Sequence, residues 1–410
     1  MPLPIKRAGN AKIYEVRNSI TLRILPTFSL VFLGYLTVGL CVSALPQFLH
    51  LEMGCSAAVV GVVFGIQYLV TLGTRSITGR FNDARGPRSA MQVGLLLCGV
   101  SGLLLMPSGF LKSSYTVGIL MVALMRLLLG WGESYVSTSG SIWGIERVGA
   151  QHAAQVIAWS GVGSYGSLAL GAPLGQWIYA HFGFGMVGAS LGLVGLVGLA
   201  ISLRISGQEM KRRTPQPSLA TFRKILPFGV ILALGGAGFA TLTSLVTLFF
   251  NAQGWKNAPL TLTLYGACFV SVRILGGGLN KHFSGPMLAC VSLLLETGGL
   301  VLFACSHRAV EAFVAASLIG IGSSLVFPIL GAEAISVVQK GARATALSLY
   351  TAFIDFSIGF TSACAGLLTE WRGFRAIYLG SAGCAAVAAM LCLVWIPRSN
   401  GAKQQSIPAE

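Results

Sequence analysis

The sequence predicts an all-α membrane protein with twelve transmembrane helices in two six-helix bundles. The 410 residues are 54% hydrophobic and 10% charged, whereas a soluble domain carries about 25% charged residues. Apolar runs long enough to cross a hydrocarbon core roughly 30 Å thick recur along the whole chain. Because lipid offers no partners to backbone N–H and C=O groups, and because no period-two alternation indicates a barrel, we expect these runs to be helices.

Twelve runs have the length and apolarity of a membrane-spanning helix. Short polar loops separate most of them, and one longer polar stretch follows the sixth. The predicted helices cover about 22–46, 56–78, 89–111, 115–140, 151–180, 184–205, 225–251, 258–280, 286–306, 309–337, 343–370 and 374–397.

Lysine and arginine are distributed unevenly between the two sides of the predicted membrane. With the N-terminus in the cytoplasm, the cytoplasmic segments hold about 21 of these residues and the opposite side about five. This asymmetry follows the positive-inside rule and predicts that both termini are cytoplasmic. It also explains the net charge of +16, so we expect no nucleic-acid partner. The first apolar run is too long for a cleavable signal peptide.

The residues needed for enzymatic or metal chemistry are not grouped in the sequence. None of the nine cysteines forms a pair with metal-ligand spacing, and the five histidines fall in predicted loops or at helix ends. A phosphate-binding P-loop is absent. We therefore predict that the protein is not an enzyme and uses no metal or cofactor, and that any proton relay uses carboxylates.

The polar stretch 206–224 contains two prolines and a basic cluster, which predicts a cytoplasmic linker. It divides the chain into a cytoplasmic N-terminal segment 1–21, a first bundle 22–205, the linker, a second bundle 225–397 and a cytoplasmic tail 398–410. The second helix of each half ends with three residues that are spaced four apart. They are Arg75, Gly79 and Asp83 in the first half, and Arg273, Gly277 and Lys281 in the second. Such a parallel repeat places a substrate site between the halves, near the midplane.

Three motifs resemble those of the major facilitator superfamily. The stretch "TGRFNDARGPR" is similar to its motif A, matching at Gly79, Asp83, Gly86 and Arg88. In the fourth helix, "RLLLGWGES" is similar to motif B, with Arg126 as its arginine. In the fifth, "GSLALGAPLG" is similar to the antiporter motif C, which is represented by Gly171, Pro173 and Gly175. Ala172 and Gln176 depart from the motif C pattern.

The resemblance covers the whole chain through the helix count, the midpoint linker and the repeat. The segments "GIGSSLVFPILGAEA" and "YTAFIDFSIGF" also resemble a bacterial branch described as sugar-efflux-like. The resemblance implies a proton-coupled secondary transporter of the bacterial cytoplasmic membrane, which moves a small organic molecule by alternating access. Motif C favours export by antiport, and import by symport is the alternative. A non-transporting receptor or scaffold is the alternative from another class. We expect a monomer.

Motif A predicts a latch between the halves. Gly79 would allow a neighbouring helix to approach closely, and Gly86 would allow a sharp turn. The resemblance places the N-terminal end of the eleventh helix beside Asp83, where a carboxylate is favoured. We hypothesise that Asp83 latches the outward-open state and that Arg88 or Arg85 holds it in place. The alternative is that these charges only set the topology.

Ionisable residues at membrane depth are costly, at roughly 2.5–3.5 kcal/mol on insertion scales, so each is a functional candidate. Arg126 and Glu133 stand seven residues apart in the fourth helix and so share a face toward the predicted cavity. Glu133 is the predicted proton-coupling residue, and Arg126 is predicted to hold an anionic substrate group or to lower the pKa of a nearby acid. The alternative is a structural ion pair with a neighbouring helix. Asp355, midway along the eleventh helix, and Glu333, in the tenth, are predicted proton or substrate sites. Glu296 lies in the ninth helix, which packs peripherally in the superfamily, and we favour a structural role for it.

Polar and aromatic residues near helix centres are predicted to line the central cavity. They are Tyr35, Gln67, Tyr68, Trp131 and Trp159. Together with one cation and two acids, such a cavity suits an amphipathic or zwitterionic solute. The glycines of the fifth helix indicate either helices that slide as the halves rock or simple tight packing.

Overall fold

The computed structural model describes residues 5–107, 114–206, 219–276, 283–339 and 343–395. Within these ranges the chain forms ten α-helices, together with a π-helical turn at Phe48–Glu52 and a 3-10 turn at Ala150–His152. The helices are α1 (Ile5–Gln47), α2 (Ala57–Leu103), α3 (Tyr115–Val148), α4 (Ala153–Phe182), α5 (Phe184–Arg204), α6 (Leu219–Ala252), α7 (Ala258–Leu275), α8 (Gly285–Cys305), α9 (Ala309–Ser336) and α10 (Arg343–Trp395).

Two of the long helices are broken at a glycine. Gly86 interrupts α2 with φ 83° and ψ 159°, and Gly373 interrupts α10 with φ 75° and ψ 172°. Glycine adopts positive φ readily, whereas other residues are strained there. Each break makes two helical segments from one helix, so the described ranges supply the twelve segments that the apolar pattern predicts.

Nine helices in the described part of the chain are long and apolar enough to cross a membrane, judged by length and composition alone. The helix outside this group is α4, which occupies the place of the predicted fifth helix. Its many glycine, serine and polar aromatic residues lower its hydropathy, although it is continuous over 30 residues. The chain is therefore an all-helical protein whose helices suit a bilayer.

Helix boundaries differ from the prediction where charged residues extend an apolar run. Helix α1 begins at Ile5, so most of the segment 1–21 is helical. Helix α6 begins at Leu219, inside the predicted linker, and α2 continues through the basic turn as far as Gly86. Lysine, arginine and glutamate have high helix propensity, which hydropathy does not detect. The linker residues 207–218, Lys281 and the tail 398–410 lie outside the described residues.

The chain divides into two compact units. Unit 1 comprises Met1–Gly54 and Ile66–Arg213, and unit 2 comprises Cys55–Gly65 and Thr214–Glu410. In unit 1, the ring of Phe48 stacks on that of Phe184 with centroids 4.0 Å apart. In unit 2, apolar residues of α6, α8, α9 and α10 form a buried core that includes Leu293, Leu330 and Tyr350. Each unit thus buries apolar surface of its own.

Candidate functional site

Three polar side chains form a connected chain inside unit 1, which we call the buried polar triad. Gln67 lies on α2, and Arg126 and Glu133 lie seven residues apart on one face of α3. The Gln67 amide joins the other two residues. Its Oε1 accepts a hydrogen bond from Arg126, and its Nε2 donates to Glu133 Oε2 at 2.7 Å. All three side chains are buried, and Arg126 is only 1% exposed.

Close backbone packing positions the triad. Gly130 lies on α3 between Arg126 and Glu133 and faces the main chain of Gln67. A Cβ built at Gly130 would lie 3.1 Å from Gln67 Cα and would overlap the Gln67 carbonyl. The hydroxyl of Thr71 bridges the same contact, 2.9 Å from the Gly130 carbonyl oxygen and 3.0 Å from that of Gln67. The missing side chain lets α2 approach α3 closely enough for the amide to reach both charges.

The donors and acceptors of the triad determine how the Gln67 amide is oriented. Arginine has only N–H donors, so the amide oxygen must face Arg126 and the amide nitrogen must face Glu133. Glu133 therefore accepts a hydrogen bond at Oε2 and, when ionised, carries a negative charge. Its negative charge offsets that of Arg126, with which it interacts electrostatically. Protonation of Glu133 would remove its negative charge from beside Arg126, so one proton changes the net charge of the triad.

Of the four further residues predicted to line the cavity, Tyr68 is buried next to Gln67 on α2 and interacts electrostatically with Arg126. The other three lie elsewhere in unit 1. Tyr35 is half-buried on α1. Trp131 is 38% exposed, because its position along α3 turns it away from the face that carries the two charges. Trp159 packs edge-on against Phe28, with ring centroids 5.4 Å apart, at the margin of a small apolar cluster. Of the predicted cavity residues, Gln67 is the one that hydrogen-bonds to both charges.

The acids predicted for the second half lie in unit 2. Asp355 is buried on α10, two residues from Ser357, whose hydroxyl donates to the Ala233 carbonyl of α6. Glu333 is half-buried on α9, and its Oε1 would lie 2.7 Å from a Cβ built on Gly285. Gly285 is the first residue of α8, where the helix dipole favours a negative charge. This position suits a structural role for Glu333.

Unit 2 repeats the backbone packing of the triad with different side chains. A Cβ built at Gly320 of α9 would overlap the Tyr265 carbonyl of α7, just as one at Gly130 would overlap that of Gln67. The two glycine contacts therefore define equivalent positions in the two units. These are Tyr265 for Gln67, Ala316 for Arg126 and Ser323 for Glu133. The cation, the acid and the bridging amide are thus specific to unit 1.

The motif A stretch forms the end of the first segment of α2 and the turn after it. Gly86 has the positive φ that the sharp turn requires. Arg88 donates to the Leu203 carbonyl at 2.7 Å, in the last turn of α5, where a cation offsets the helix dipole. Arg85 lies over a phenylalanine ring, 5.5 Å from its centroid. These contacts place Arg88 and Arg85 beside α5 and a phenylalanine ring, and the hypothesis that one of them holds Asp83 stays a prediction.

The glycines of motifs A and C differ in their packing. A Cβ at Gly79 would meet no described heavy atom within 4 Å, so the close helix approach predicted there is not seen in the described part of the chain. Between α1 and α4, by contrast, Cβ atoms at Gly171 and Gly175 would clash with the α1 main chain, and the one at Gly171 would lie 2.8 Å from Gly39 Cα. Pro173 is half-buried beside them. The motif C-like glycines are tight packing positions.

Sequence reasoning missed the hydroxyl groups that support the site. Thr71 stands one helical turn after Gln67, and Thr78 and Ser134 place their hydroxyl oxygens 3.2 Å apart across the same pair of helices. A polar stripe at helical spacing along α2 would have indicated them. In the described residues, no group of three His, Cys, Asp or Glu side chains is placed to hold a metal ion.

Comparisons with known proteins agree with this architecture. The chain is 39% identical over 378 residues to an MFS-type transporter of Burkholderia pseudomallei (strain 1106a), covering 90% of each chain. It is 37% identical over 379 residues to the MFS-type transporter YhhS of Escherichia coli (strain K12), covering 92% of each.

Solved structures share the fold at low sequence identity. A D-xylose-proton symporter superposes with a TM-score of 0.75 at 14% identity, over 93% of this chain and 98% of the other. The nucleoside transporter NupG gives 0.70 at 13% identity, over 91% and 99%. The family model for the Major Facilitator Superfamily matches residues 27–340 and 260–410. The chain therefore belongs to the major facilitator superfamily and is a multi-pass membrane transporter.

Proposed function

We propose that the protein exports a small organic solute in exchange for protons, by alternating access. The buried polar triad is the observation that carries this proposal. It holds one acid and one cation in a buried interior, where the arrival of a proton at Glu133 removes a negative charge that offsets Arg126. A carrier that couples transport to protons needs such a group, because a proton can shift a conformational equilibrium only if it interacts differently with the two states.

The chemistry of the buried charges bears on the solute. Protonation of Glu133 removes a negative charge from beside Arg126, so an anionic group of the solute would be favoured more strongly in that state. Asp355, buried on α10, is the corresponding candidate for a cationic group or a second proton. These two kinds of charge support an amphipathic or zwitterionic solute.

Charge distribution supports the cellular location that we propose. About 21 of the lysine and arginine residues fall on the predicted cytoplasmic side and about five on the other. This bias places both termini in the cytoplasm. The relatives in Burkholderia pseudomallei and Escherichia coli support the cytoplasmic membrane of a bacterium. We propose that the transporter works there as a monomer.

The direction of transport rests on the motif C-like stretch of α4, where Gly171 and Gly175 pack closely on α1. Import by proton symport is the second candidate, because a structural neighbour is named a D-xylose-proton symporter. At 14% identity that likeness concerns the fold alone. A receptor or scaffold without transport is the third candidate, which the buried charges disfavour because an inert protein gains nothing from their cost.

Proton movement in inverted membrane vesicles tests the proposal. With a respiratory pH gradient that is acid inside, an antiporter lets an added solute dissipate the gradient. We therefore expect members of a panel of amphipathic solutes to dissipate it with the natural protein. Glu133→Gln and Asp355→Asn should each abolish this response, because each removes an exchangeable charge without changing the side-chain size.

Glu370→Gln is the matched control, since Glu370 is exposed and its loss should leave the response intact. A response that requires solute preloaded inside the vesicles would identify a symporter instead. Full coupling in both the Glu133→Gln and Asp355→Asn proteins would exclude the triad as the coupling site. The absence of any solute-dependent proton movement would support the scaffold.

A further inference from the structure

Glu296 of α8 is a second deeply buried acid, in unit 2, and the mechanism proposed above does not use it. It is 1% exposed. Two glycines make room for it from neighbouring helices. A Cβ at Gly238 of α6 would lie 2.9 Å from Glu296 Oε1, and a Cβ at Gly322 of α9 would lie 2.6 Å from the Glu296 backbone nitrogen. Glu296 is therefore enclosed between α6, which lies beside its carboxyl, and α9, which lies beside its backbone.

The surroundings of this carboxyl lack the cation that accompanies Glu133. Oε1 has no hydrogen-bond partner in the described structure. Ser323 of α9 has its hydroxyl near this carboxyl and donates its hydrogen to the Ile319 carbonyl. From α6, α9 and α10, which pack against α8, no described ionisable side chain interacts electrostatically with Glu296. An ionised carboxylate without a charged partner is strongly disfavoured in an apolar interior, so the neutral acid is the favoured form.

The hydrogen bonds of Ser323 indicate where a proton lies. A serine hydroxyl carries one hydrogen, and the Ser323 hydroxyl oxygen lies 2.7 Å from the Ile319 carbonyl, which can only accept. With that hydrogen donated to Ile319, Ser323 has none left for the nearby Glu296, so its oxygen is free to accept a hydrogen from a protonated carboxyl. We propose that Glu296 is a second proton-binding residue, which holds its proton against the hydroxyl of Ser323.

The internal repeat gives this pair a counterpart in unit 1. Gly132 packs against Cys98 in unit 1, just as Gly322 packs against Glu296 in unit 2, so Cys98 and Glu296 occupy equivalent positions. Cys98 interacts electrostatically with Glu133, and Ser323 occupies the position equivalent to Glu133. The two units therefore place an acid at the same helix contact, on α3 in unit 1 and on α8 in unit 2.

Loss of the proton from Glu296 needs only one rearrangement. The Ser323 hydroxyl turns from the Ile319 carbonyl to the new carboxylate and donates its hydrogen there. The Ile319 carbonyl keeps its backbone hydrogen bond within α9, because it lies four residues before Ser323. Ser323 is half-buried and so less enclosed than the carboxyl, and we assign proton exchange to that side.

Infrared spectroscopy of the purified full-length protein tests this site without a transport assay. At neutral pH the natural protein should show the carbonyl band of a buried, protonated carboxylic acid, and Glu296→Gln should remove it. Glu370→Gln, which alters an exposed glutamate, should leave the band unchanged. An identical band in Glu296→Gln and the natural protein would overturn the proposal. Misfolding of Glu296→Gln alone would also count against it, because the amide reproduces the neutral, donating acid.

A pair of serine variants tests the role of the hydroxyl. Ser323→Ala should shift the pH at which the band disappears, since the ionised carboxylate loses a donor. Ser317→Ala is the matched control: Ser317 is also half-buried on α9 and bonds to the carbonyl four residues earlier, at 2.9 Å. Equal titration of the Ser323→Ala and Ser317→Ala proteins would overturn the assignment of Ser323.

A coupling role for Glu296 rests on the proposed proton-linked transport and is measured separately. Glu296→Gln should change the pH profile of solute-dependent proton movement in vesicles. If the infrared band is lost but this profile is unchanged, Glu296 binds a proton outside the transport cycle and the coupling role fails. If the natural protein moves no protons while the band is present, the proposed function fails and the proton site stands.

Discussion

The two units use the same backbone contact for different chemistry. In unit 1, Gly130 brings α3 against Gln67, and the space around that contact holds an arginine and a glutamate joined by an amide. In unit 2, Gly320 brings α9 against Tyr265 in the same way, without that arginine or amide. The glycine packing is therefore common to both units. The side chains around it differ, and in unit 1 they include an arginine and a glutamate.

The largest expected loss of stability, and one specific to unit 1, comes from breaking its charge pair. Arg126→Met leaves the Glu133 carboxylate buried without its cation, which costs about 3–5 kcal/mol. The double variant Arg126→Met with Glu133→Met should recover most of that stability, because no uncompensated charge remains. Thermal unfolding in detergent measures both proteins, with Arg204→Met as a control at an exposed arginine. A double variant less stable than Arg126→Met would show that the two charges are not energetically coupled.

A smaller loss of stability, equal in the two units, is expected from substitutions at the glycine contact that both units share. Gly130→Ala and Gly320→Ala each drive a methyl group into a carbonyl of the facing helix. Overpacking of this kind costs about 1–3 kcal/mol. Each unit has its own control, because Cβ atoms at Gly73 and Gly298 would meet no described atom within 4 Å. Gly73→Ala and Gly298→Ala should therefore be neutral or slightly stabilising in the same unfolding assay. Unequal losses at Gly130 and Gly320 would contradict the equivalence of the two contacts.

The smallest effect is expected at motif A, where the halves also differ in sequence. Asp83 in the first half corresponds to Lys281 in the second, so a latch that uses a carboxylate is one-sided. A carboxylate at a helix N-terminus contributes up to about 2 kcal/mol. Asp83→Asn should therefore lower transport by roughly tenfold without changing insertion or the unfolding temperature. Transport in vesicles measures it, with Asp83→Glu as the charge-retaining control. Normal transport by Asp83→Asn would leave these charges with a role in topology alone.

Periodicity and charge in the sequence were enough to predict the helices. Apolar length and the break at Gly86 predict how many segments there are, because lipid requires helical backbone and a positive φ requires glycine. Helix ends were predicted less well, as at Ile5 and Leu219, because charged helix-forming residues extend a helix beyond its apolar run. Hydropathy measures the free energy of transfer to lipid. Helix propensity also acts on residues that lie in water, so a helix can extend beyond its apolar run.

The candidate site was predicted in part. The seven-residue spacing of Arg126 and Glu133 on one helix was enough to place them on one face. The sequence could not show that Gln67 bridges them, because that contact depends on the distance between two helices. Trp131 illustrates the same limit, since proximity in sequence to both charges did not bring its side chain to their face.

The sequence by itself determined an all-helical membrane chain of the major facilitator superfamily, with its repeat and its buried charges. These properties follow from composition, spacing and the cost of polar groups in lipid, which act along the chain. Only the tertiary structure decided which groups lie beside each buried charge. Glu133 lies beside an amide and an arginine, and Glu296 lies between two glycines and a serine. The physical reason is that the state of a buried acid depends on the groups around it, and those groups come from different helices.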